Sequence, residues 1–320
     1  MKKGILCLIL GLSILFLFPT TVWAADMLIP VGKVVGLELH NDTVTVAAFD
    51  ESSPAQKAGI QVGDRLLTID GKSITCVQDV RKALDSSTGS VRITLQRGED
   101  TQTLRVEPAI STEGPKLGIY LRQGTTGIGT VTYYDPDTKT FGALGHGVNT
   151  PSGQLLRLVS GSVYSARVAS VRKGKSGDPG QLIGSLTKKD PVGSLAKNCA
   201  QGVFGRLDIP LQGNALPVGT SDTVTTGAAT ILSTVSGDTP REYSVEIVKI
   251  YPATRQNGRN MLIRITDPTL LAATGGIVQG MSGSPIIQDG KLIGAVTHVL
   301  VNDPTTGYGI FIENMLDAAA

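Results

Sequence analysis

The stretch Gly280–Pro285, which reads GMSGSP, is followed at once by the sequence IIQDGKLIGAVTHV. Glycine loses more backbone entropy on folding than other residues, so a serine flanked by glycines needs a structural or chemical reason. One reason is a tight loop that exposes the Ser282 hydroxyl in a cleft and aims the N–H groups of Gly280 and Ser282 at one point, as an oxyanion hole does. The alternative is an ordinary loop between strands. The following segment predicts a strand, a turn at Asp289-Gly290 and a second strand.

The composition favours many short strands over long helices. The chain has 320 residues, of which 39 are glycine, and aromatic residues make up only 4%. Hydrophobic residues make up 41%, which is ample for a packed core, and the length indicates at least two domains. The formal charge of +2 falls to zero without Lys2 and Lys3, so no basic surplus supports nucleic-acid binding.

The first 25 residues carry a targeting pattern. Two lysines precede an uncharged segment from Gly4 to Ala25, and its Val-x-Ala ending fits a signal-peptide cleavage site. The segment of 22 residues is also long enough to cross a bilayer once. We therefore predict that residues 1–25 form a signal peptide or a membrane anchor. Because the lysines stay inside, the remainder of the chain is expected to leave the cytoplasm.

Histidine and cysteine are too few for a recognisable metal-ligand cluster. There are three histidines, and only Cys76 and Cys199 lie outside the N-terminal segment. The two cysteines fall in separate candidate domains, which favours two unpaired thiols over a disulfide. We expect no metal and no organic cofactor.

Residues 27–108 are predicted to form a small α+β domain. Val34–Leu39 has the pattern of a strand. Ser53–Gly59 has the pattern of a short helix, with a serine N-cap, proline at the first position and glycine at the end. Thr75–Asp85 places its apolar residues on one helical face. The polar residues 109–115 follow as a predicted linker.

The string SPAQKAGIQVGDRLLTIDGKSI, residues 53–74, resembles a PDZ domain of the kind associated with bacterial proteases. In that family a Gly-Leu-x-Leu-like loop offers backbone N–H groups to a peptide carboxylate, and the peptide adds as a strand. The resemblance assigns this loop to Gly36, Leu37, Glu38 and Leu39. The alternative is that these four residues only pack an edge strand.

Residues 116–320 alternate short apolar runs with Gly, Pro, Asn and Asp turns, and show little helical periodicity. This spacing predicts an all-β barrel or sandwich of about 200 residues. Within it, Arg172–Gln201 is rich in Lys, Gly, Asp and Pro, which is typical of an exposed insertion.

His146 lies between two glycines at the end of the apolar run Phe141–Leu144. Alone it would be interpreted as a turn histidine, but with Ser282 in the same domain its ring is a candidate general base. His298 is the competing base. It has apolar neighbours on both sides within a predicted strand, which favours a core histidine with satisfied hydrogen bonds.

Asp267 follows the alternating strand Met261–Thr266. If the strand continues, Asp267 falls on the apolar face, where a carboxylate needs a partner. A histidine N–H is a suitable partner, because an aspartate fixes the imidazole tautomer in serine proteases. The alternative is an Asp-Pro turn in which Asp267 caps the segment that begins at Pro268.

Three segments together carry a family resemblance: FGALGHGV around His146, RITDPTLL around Asp267, and the final GIVQGMSGSPIIQDGKLIGAVTHVLVNDPTTGYGIFIENML. With the preceding PDZ-like domain, they resemble the stage IV sporulation protein B (SpoIVB) peptidases of endospore-forming bacteria, over roughly residues 28–320. The resemblance assigns the catalytic triad to His146, Asp267 and Ser282. It implies a mainly β, chymotrypsin-like peptidase domain, by partial analogy, because Asp267 lies only 15 residues before Ser282.

The resemblance also implies a biological setting. Members of the family are exported into the space between the forespore membranes, cleave themselves near the N-terminus and cut a membrane-bound regulator of an intramembrane protease. That cut leads to activation of a late sigma factor. We therefore expect an exported serine endopeptidase whose partners are a protein substrate, its own chain and, through residues 1–25, the membrane.

Other interpretations stay open. The chain could be a membrane-tethered peptide-binding module with an inert protease-like domain. A lipase or esterase is disfavoured, because the loop reads G-x-S-x-S and lacks the second glycine of a nucleophile elbow. Ser284 is the nearest alternative nucleophile to Ser282.

Overall fold

The computed structural model describes residues 27–112, 114–151, 153–187, 189–255 and 258–320. The predicted signal peptide or anchor, residues 1–25, lies outside these ranges. Within them, no helix has the length and apolar character needed to cross a membrane.

The described chain is mainly β, as expected. Its strands are β1 (Met27–Pro30), β2 (Val34–Phe49), β3 (Arg65–Ile69), β4 (Lys72–Ser73), β5 (Val91–Arg97), β6 (Asp100–Val106), β7 (Ala109–Ser111), β8 (Gly114–Lys116), β9 (Ile119–Asp135), β10 (Thr140–Ala143), β11 (Ser160–Arg172), β12 (Gln181–Leu186), β13 (Gly193–Cys199), β14 (Gly202–Leu207), β15 (Leu216–Pro217), β16 (Gly227–Ser233), β17 (Arg241–Ile250), β18 (Met261–Ile265), β19 (Pro285–Gln288), β20 (Lys291–Leu300) and β21 (Asp303–Phe311). Its helices are α1 (Pro54–Lys57), α2 (Val77–Asp85), α3 (Pro268–Thr274) and α4 (Ile312–Ala319).

Six strands close into a first barrel, in the order β9-β10-β14-β13-β11-β2. The pairing of β2 with β9 completes the ring. Leu37, Val131, Phe141 and Val163 are buried together in the apolar cluster of this barrel.

A second closed barrel follows, in the order β16-β17-β18-β21-β20-β19. In β18 the predicted alternation is confirmed, since Met261, Ile263 and Ile265 are buried while Arg264 is exposed. Two six-stranded antiparallel barrels are the arrangement that the chymotrypsin-like prediction describes.

The PDZ lobe is joined to the first barrel by two long strands, β2 and β9, which belong to both. The first half of β2 belongs to the barrel, whereas Val44–Phe49 pairs with residues 119–123 of β9 beside α1 and α2. Val44, Leu66, Val80 and Ile93 are buried together in the lobe's own core. The lobe therefore extends beyond residue 108, where the predicted domain ends, because residues 119–123 of β9 form one of its strands.

Two further predictions are corrected. The predicted linker 109–115 is largely taken up by β7 and β8, which pair with each other and end at Lys116. Arg172–Gln201 is no simple insertion, because it supplies β12 and β13, which both pair with β11. These strands form because Leu182 and Leu195 are buried in the protein, although the residues around them in the sequence are polar.

Candidate active site

A cleft of about 670 Å³ lies between the two barrels, and His146, Ser282 and His298 all line it. His146 follows β10 of the first barrel, while Ser282 precedes β19 of the second. The two barrels thus supply one candidate base and one candidate nucleophile to the same space.

The glycines around Ser282 are required by the shape of the loop. Gly280 and Gly283 have φ angles of 99° and 96°, a region that side chains with a Cβ rarely adopt. A Cβ on Gly283 would also collide with the Thr130 carbonyl oxygen, and one on Gly280 would lie 3.1 Å from the Leu182 side chain. The glycines therefore let the first barrel and β12 approach the loop closely.

The predicted oxyanion donors are the backbone N–H groups on either side of Met281. Among the described residues, neither the Gly280 N–H nor the Ser282 N–H has an acceptor, although the Gly283 N–H donates to the Val296 carbonyl at 2.7 Å. The Thr130 hydroxyl donates to the Gly280 carbonyl at 2.7 Å and so fixes the peptide plane that precedes Met281. Two unused donors beside a serine are what an oxyanion hole requires.

The Ser282 hydroxyl donates to the Thr297 carbonyl at 2.7 Å and not to a histidine. Ser284, the alternative nucleophile, is fully buried and its hydroxyl donates to Ser233 at 3.0 Å. Of these two serines only Ser282 lines the cleft.

The Nδ1 atom of His146 lies 3.0 Å from the Gly147 carbonyl oxygen. A carbonyl only accepts, so Nδ1 carries the proton and Nε2 is left as the basic nitrogen. Burial lowers the pKa of His146 from its ordinary value, which keeps the ring neutral and able to accept a proton.

His298 is not the satisfied core histidine that the sequence favoured. Its ring centroid lies 5.2 Å from that of His146, and its buried Nδ1 has no partner among the described residues. Burial, with the nearby His146 and Arg259, lowers the pKa of His298 to about 4. The register of β20 shifts between Val296 and His298, and such a shift cannot be derived from the sequence pattern.

Asp267 is the N-cap of α3. One carboxylate oxygen accepts from the N–H groups of Thr269 and Leu270, both at 2.9 Å, and the other lies 3.5 Å from the Ser244 nitrogen. Pro268 at the first helical position starts the helix there, so the strand does not continue through Asp267.

The structure therefore places His146 and Ser282 in the same cleft, which Asp267 does not line. The capping role is the alternative that the sequence left open. A catalytic part for Asp267 stays a prediction.

Gly36, Leu37, Glu38 and Leu39 do not form the predicted carboxylate-binding loop. They lie within β2 and pair with β9 on one side and with β11 on the other. Their backbone groups are therefore used by the barrel, and Leu37 and Leu39 point into its core. This assignment is wrong because these residues form an interior strand.

The PDZ lobe has its groove elsewhere, between α2 and the first residues of β9. The groove holds about 400 Å³, and Val80, Leu117 and Ile119 are among its lining residues. The N–H groups of Leu117 and Gly118 have no acceptor among the described residues. Gly118 has a φ of 67°, and a Cβ there would lie 2.8 Å from the Ser53 Cα. The sequence motif that could have indicated this groove is Leu-Gly-Ile at residues 117–119.

Across the described ranges, no group of three or more His, Cys, Asp or Glu side chains could hold a metal ion. Cys76 and Cys199 are both free thiols, as predicted.

Comparisons with known proteins match both parts of the chain. The model of the SpoIVB peptidase S55 family matches residues 113–316, and a PDZ domain model matches residues 45–97. Among curated proteins, one from Clostridium perfringens that carries the name zinc metalloprotease is 39% identical over 70 residues, which is 22% of this chain and 21% of that protein. A similarly named protein from Agrobacterium fabrum is 33% identical over 86 residues, 27% of this chain and 23% of that protein. The chain spans less than a quarter of the length of either relative.

Two solved structures show weaker likeness. The PDZ domain of an SdrC-like protein from Listeria monocytogenes is 26% identical, and the match covers 25% of this chain and 87% of that one, with a TM-score of 0.23. The Rv3671c protease in its inactive form is 15% identical, with 61% of this chain and 82% of that one covered and a TM-score of 0.34. The family match decides the assignment. Because the peptidase model spans nearly two thirds of the chain and includes both His146 and Ser282, this chain belongs to the SpoIVB peptidase S55 family.

Proposed function

We propose that this protein is a serine endopeptidase in which Ser282 is the nucleophile and His146 the general base. The observation that supports it is that these two residues, one from each barrel, line a single cleft beside two N–H groups that have no acceptor among the described residues. A nucleophile, a base and unused oxyanion donors are the parts that acyl transfer needs.

The hydrogen bonds around His146 and Ser282 support the following proposed mechanism. The Gly147 carbonyl holds the His146 tautomer that leaves Nε2 free, a task that a carboxylate performs in other serine proteases. Nε2 takes the Ser282 proton as Oγ attacks the scissile carbonyl, and the N–H groups of Gly280 and Ser282 stabilise the oxyanion. His146 then gives the proton to the leaving amine, and water hydrolyses the acyl-enzyme.

One rearrangement must precede the attack. The Ser282 hydroxyl has to leave the Thr297 carbonyl and turn toward His146. The net cost is about one hydrogen bond, roughly 1 kcal/mol, which is small beside the barrier of peptide hydrolysis.

The PDZ groove gives the proposed peptidase a second contact with its substrate. The N–H groups of Leu117 and Gly118 have no acceptor in the described part of the chain, and they lie next to a strand edge and α2, which suits an extended peptide with a terminal carboxylate. From family membership, we propose that the substrates are the chain itself and a membrane-bound regulator in sporulation signalling. The protein would act after export, secreted or anchored through residues 1–25.

The direct test is labelling of the full chain with a fluorophosphonate probe, followed by mass spectrometry of the products. Wild-type protein is expected to be labelled at Ser282 and to show self-cleavage. The Ser282→Ala variant should lose both, while Ser284→Ala should keep them. Undiminished labelling and self-cleavage in Ser282→Ala would overturn the proposal.

The second candidate, an inert peptide-binding module, is favoured by one observation. The Ser282 hydroxyl is bonded to Thr297 and not to His146. This alternative predicts no probe labelling in the wild-type chain, together with retained peptide binding in the PDZ groove.

A further inference from the structure

A second groove of about 850 Å³ adjoins the catalytic cleft. Ile128, Gln279 and Gly280 line both spaces, so the groove opens beside one of the proposed oxyanion donors. Its walls come from β12 on one side and from β2, β9 and β11 of the first barrel on the other.

Within the described ranges, the edge of β12 that faces away from β11 is largely unpaired. The Leu182 N–H points to this edge and donates to the Gln279 carbonyl at 2.8 Å, whereas the Thr187 N–H, just past the strand, donates toward β11. Backbone groups alternate along a strand, so the N–H and C=O groups of Gly184 and Leu186 face the same edge as Leu182. Among the described residues, this edge pairs through the bridge between Gln181 and Gln279.

The groove presents apolar side chains to solvent. Leu186 and Ile183 are 55% and 49% exposed, although both are large aliphatic residues, and the buried Leu182 lies between them and the nucleophile loop. Exposed aliphatic residues in a concave site mark a place where another apolar group binds.

The polar end of the groove is already partnered. Glu38 accepts a hydrogen bond from the Tyr164 hydroxyl at 2.7 Å, and its second oxygen lies 3.4 Å from His40 Nε2. Lys189 is exposed and also lines the groove. Because the Glu38 carboxylate already has hydrogen-bond partners, the exposed apolar side chains are the larger surface that a ligand could cover.

We propose that this groove is a substrate subsite, in which an extended peptide adds as a strand to the open edge of β12 and packs a bulky aliphatic or aromatic side chain on Leu186. The proposal rests on the proposed peptidase function. The groove is continuous with the cleft at Gly280, so we expect the substrate itself to occupy it. A strand that follows β12 from Leu186 to Leu182 leads directly to the oxyanion donors. That path is about 13 Å, so the apolar residue should lie roughly four residues from the scissile bond.

The test is a cleavage profile of the full chain on a peptide library, read by mass spectrometry. Wild-type protein is expected to enrich a bulky apolar residue at one position, three to five residues from the cut. Leu186→Pro removes the edge N–H at a place where proline is tolerated, and should lower kcat/KM at least about tenfold. Leu186→Ala keeps the N–H and should weaken the enrichment. Ile209→Ala, an equally exposed aliphatic residue outside both grooves, is the matched control and should change neither.

Fluorophosphonate labelling separates the two proposals. Labelling of Ser282 at the wild-type rate in both Leu186 variants would show that the catalytic machinery is intact. If the wild-type chain is labelled but shows no apolar enrichment, or if Leu186→Ala keeps the full enrichment, the subsite is wrong and the peptidase stands. An unlabelled wild-type chain overturns the proposed function and the subsite with it.

Discussion

The imidazole rings of His146 and His298 lie 5.2 Å apart, centroid to centroid, at an interplanar angle of 41°, in the cleft that Ser282 also lines. Burial lowers the pKa of both rings, which keeps His146 in the neutral form that a general base needs. The nearby His146 lowers the pKa of His298 further.

Stability should fall in acid because of His298. Its pKa in the folded protein is lowered to about 4 from an ordinary value of 6.5, by burial first and then by His146 and Arg259. Between these values the unfolded chain binds more protons than the folded one, so the free energy of unfolding decreases as pH falls from about 6.5 to about 4. Thermal unfolding across this range should show the decrease, and His298→Phe should flatten it. An equally steep decrease in His298→Phe would contradict this account.

Thr130 is expected to position the oxyanion loop. Its buried hydroxyl donates to the Gly280 carbonyl at 2.7 Å, and removal of that bond leaves the peptide plane less firmly held. Thr130→Val should lower kcat about tenfold, which corresponds to the free energy of about one hydrogen bond, with little change in KM.

The same strand offers the control for Thr130. Thr132 is equally buried, and its hydroxyl has no partner among the described residues. Thr132→Val should leave kcat unchanged and should not lower the free energy of unfolding. Equal kinetic losses in Thr130→Val and Thr132→Val would show that the effect is one of packing.

The first test of Asp267 measures how its substitution changes the stability of the protein. Loss of the N-cap in Asp267→Ala is expected to lower the free energy of unfolding by about 1 kcal/mol, whereas Asp267→Asn retains a capping side chain and should lower it less. Chemical denaturation measures both changes.

Kinetics of Asp267→Asn then decide whether the carboxylate has a second role. If it only caps α3, kcat/KM should stay close to the wild-type value. A fall of about 10⁴-fold with unchanged stability would place the carboxylate in a triad, as the family resemblance implies.

Peptide binding by the PDZ lobe should depend on Gly118. Alanine there is strained at a φ of 67° and would collide with Ser53, so Gly118→Ala should weaken a peptide that ends in a free carboxylate, measured by calorimetry. Gly71→Ala is the matched control, because φ is 78° and a Cβ would meet nothing within 4 Å. Equal binding losses in both variants would argue against a carboxylate loop at Gly118.

Local patterns in the sequence predicted much of this molecule. The Ser53 cap, the helix that ends at Asp85 and the alternation of β18 are confirmed. Each of them depends on residues that lie only a few positions apart in the sequence. The glycines around Ser282 were interpreted as a tight loop, and their φ angles agree.

The errors concern contacts between distant segments. Gly36–Leu39 has the same local pattern whether it forms a ligand loop or an interior strand, and only its pairing with β9 and β11 distinguishes the two. His298 enters the cleft through a register shift in β20. Both outcomes depend on tertiary packing, which overrides local pattern. Asp267 differs, because its N-cap role follows from the local Asp-Pro pair, the alternative that the sequence left open.

The strand β9 begins at the PDZ groove and reaches the catalytic cleft at Ile128, and its pairing with β2 shifts register at Gly124, where φ is 84°. The nine steps from Ile119 to Ile128 span at most about 30 Å, at roughly 3.3 Å each. Both sites lie along one hydrogen-bonded strand, so β9 sets their separation. A peptide whose terminus is held at Gly118 must bridge that separation to reach Ser282, and tails too short to bridge it would be bound without being cut.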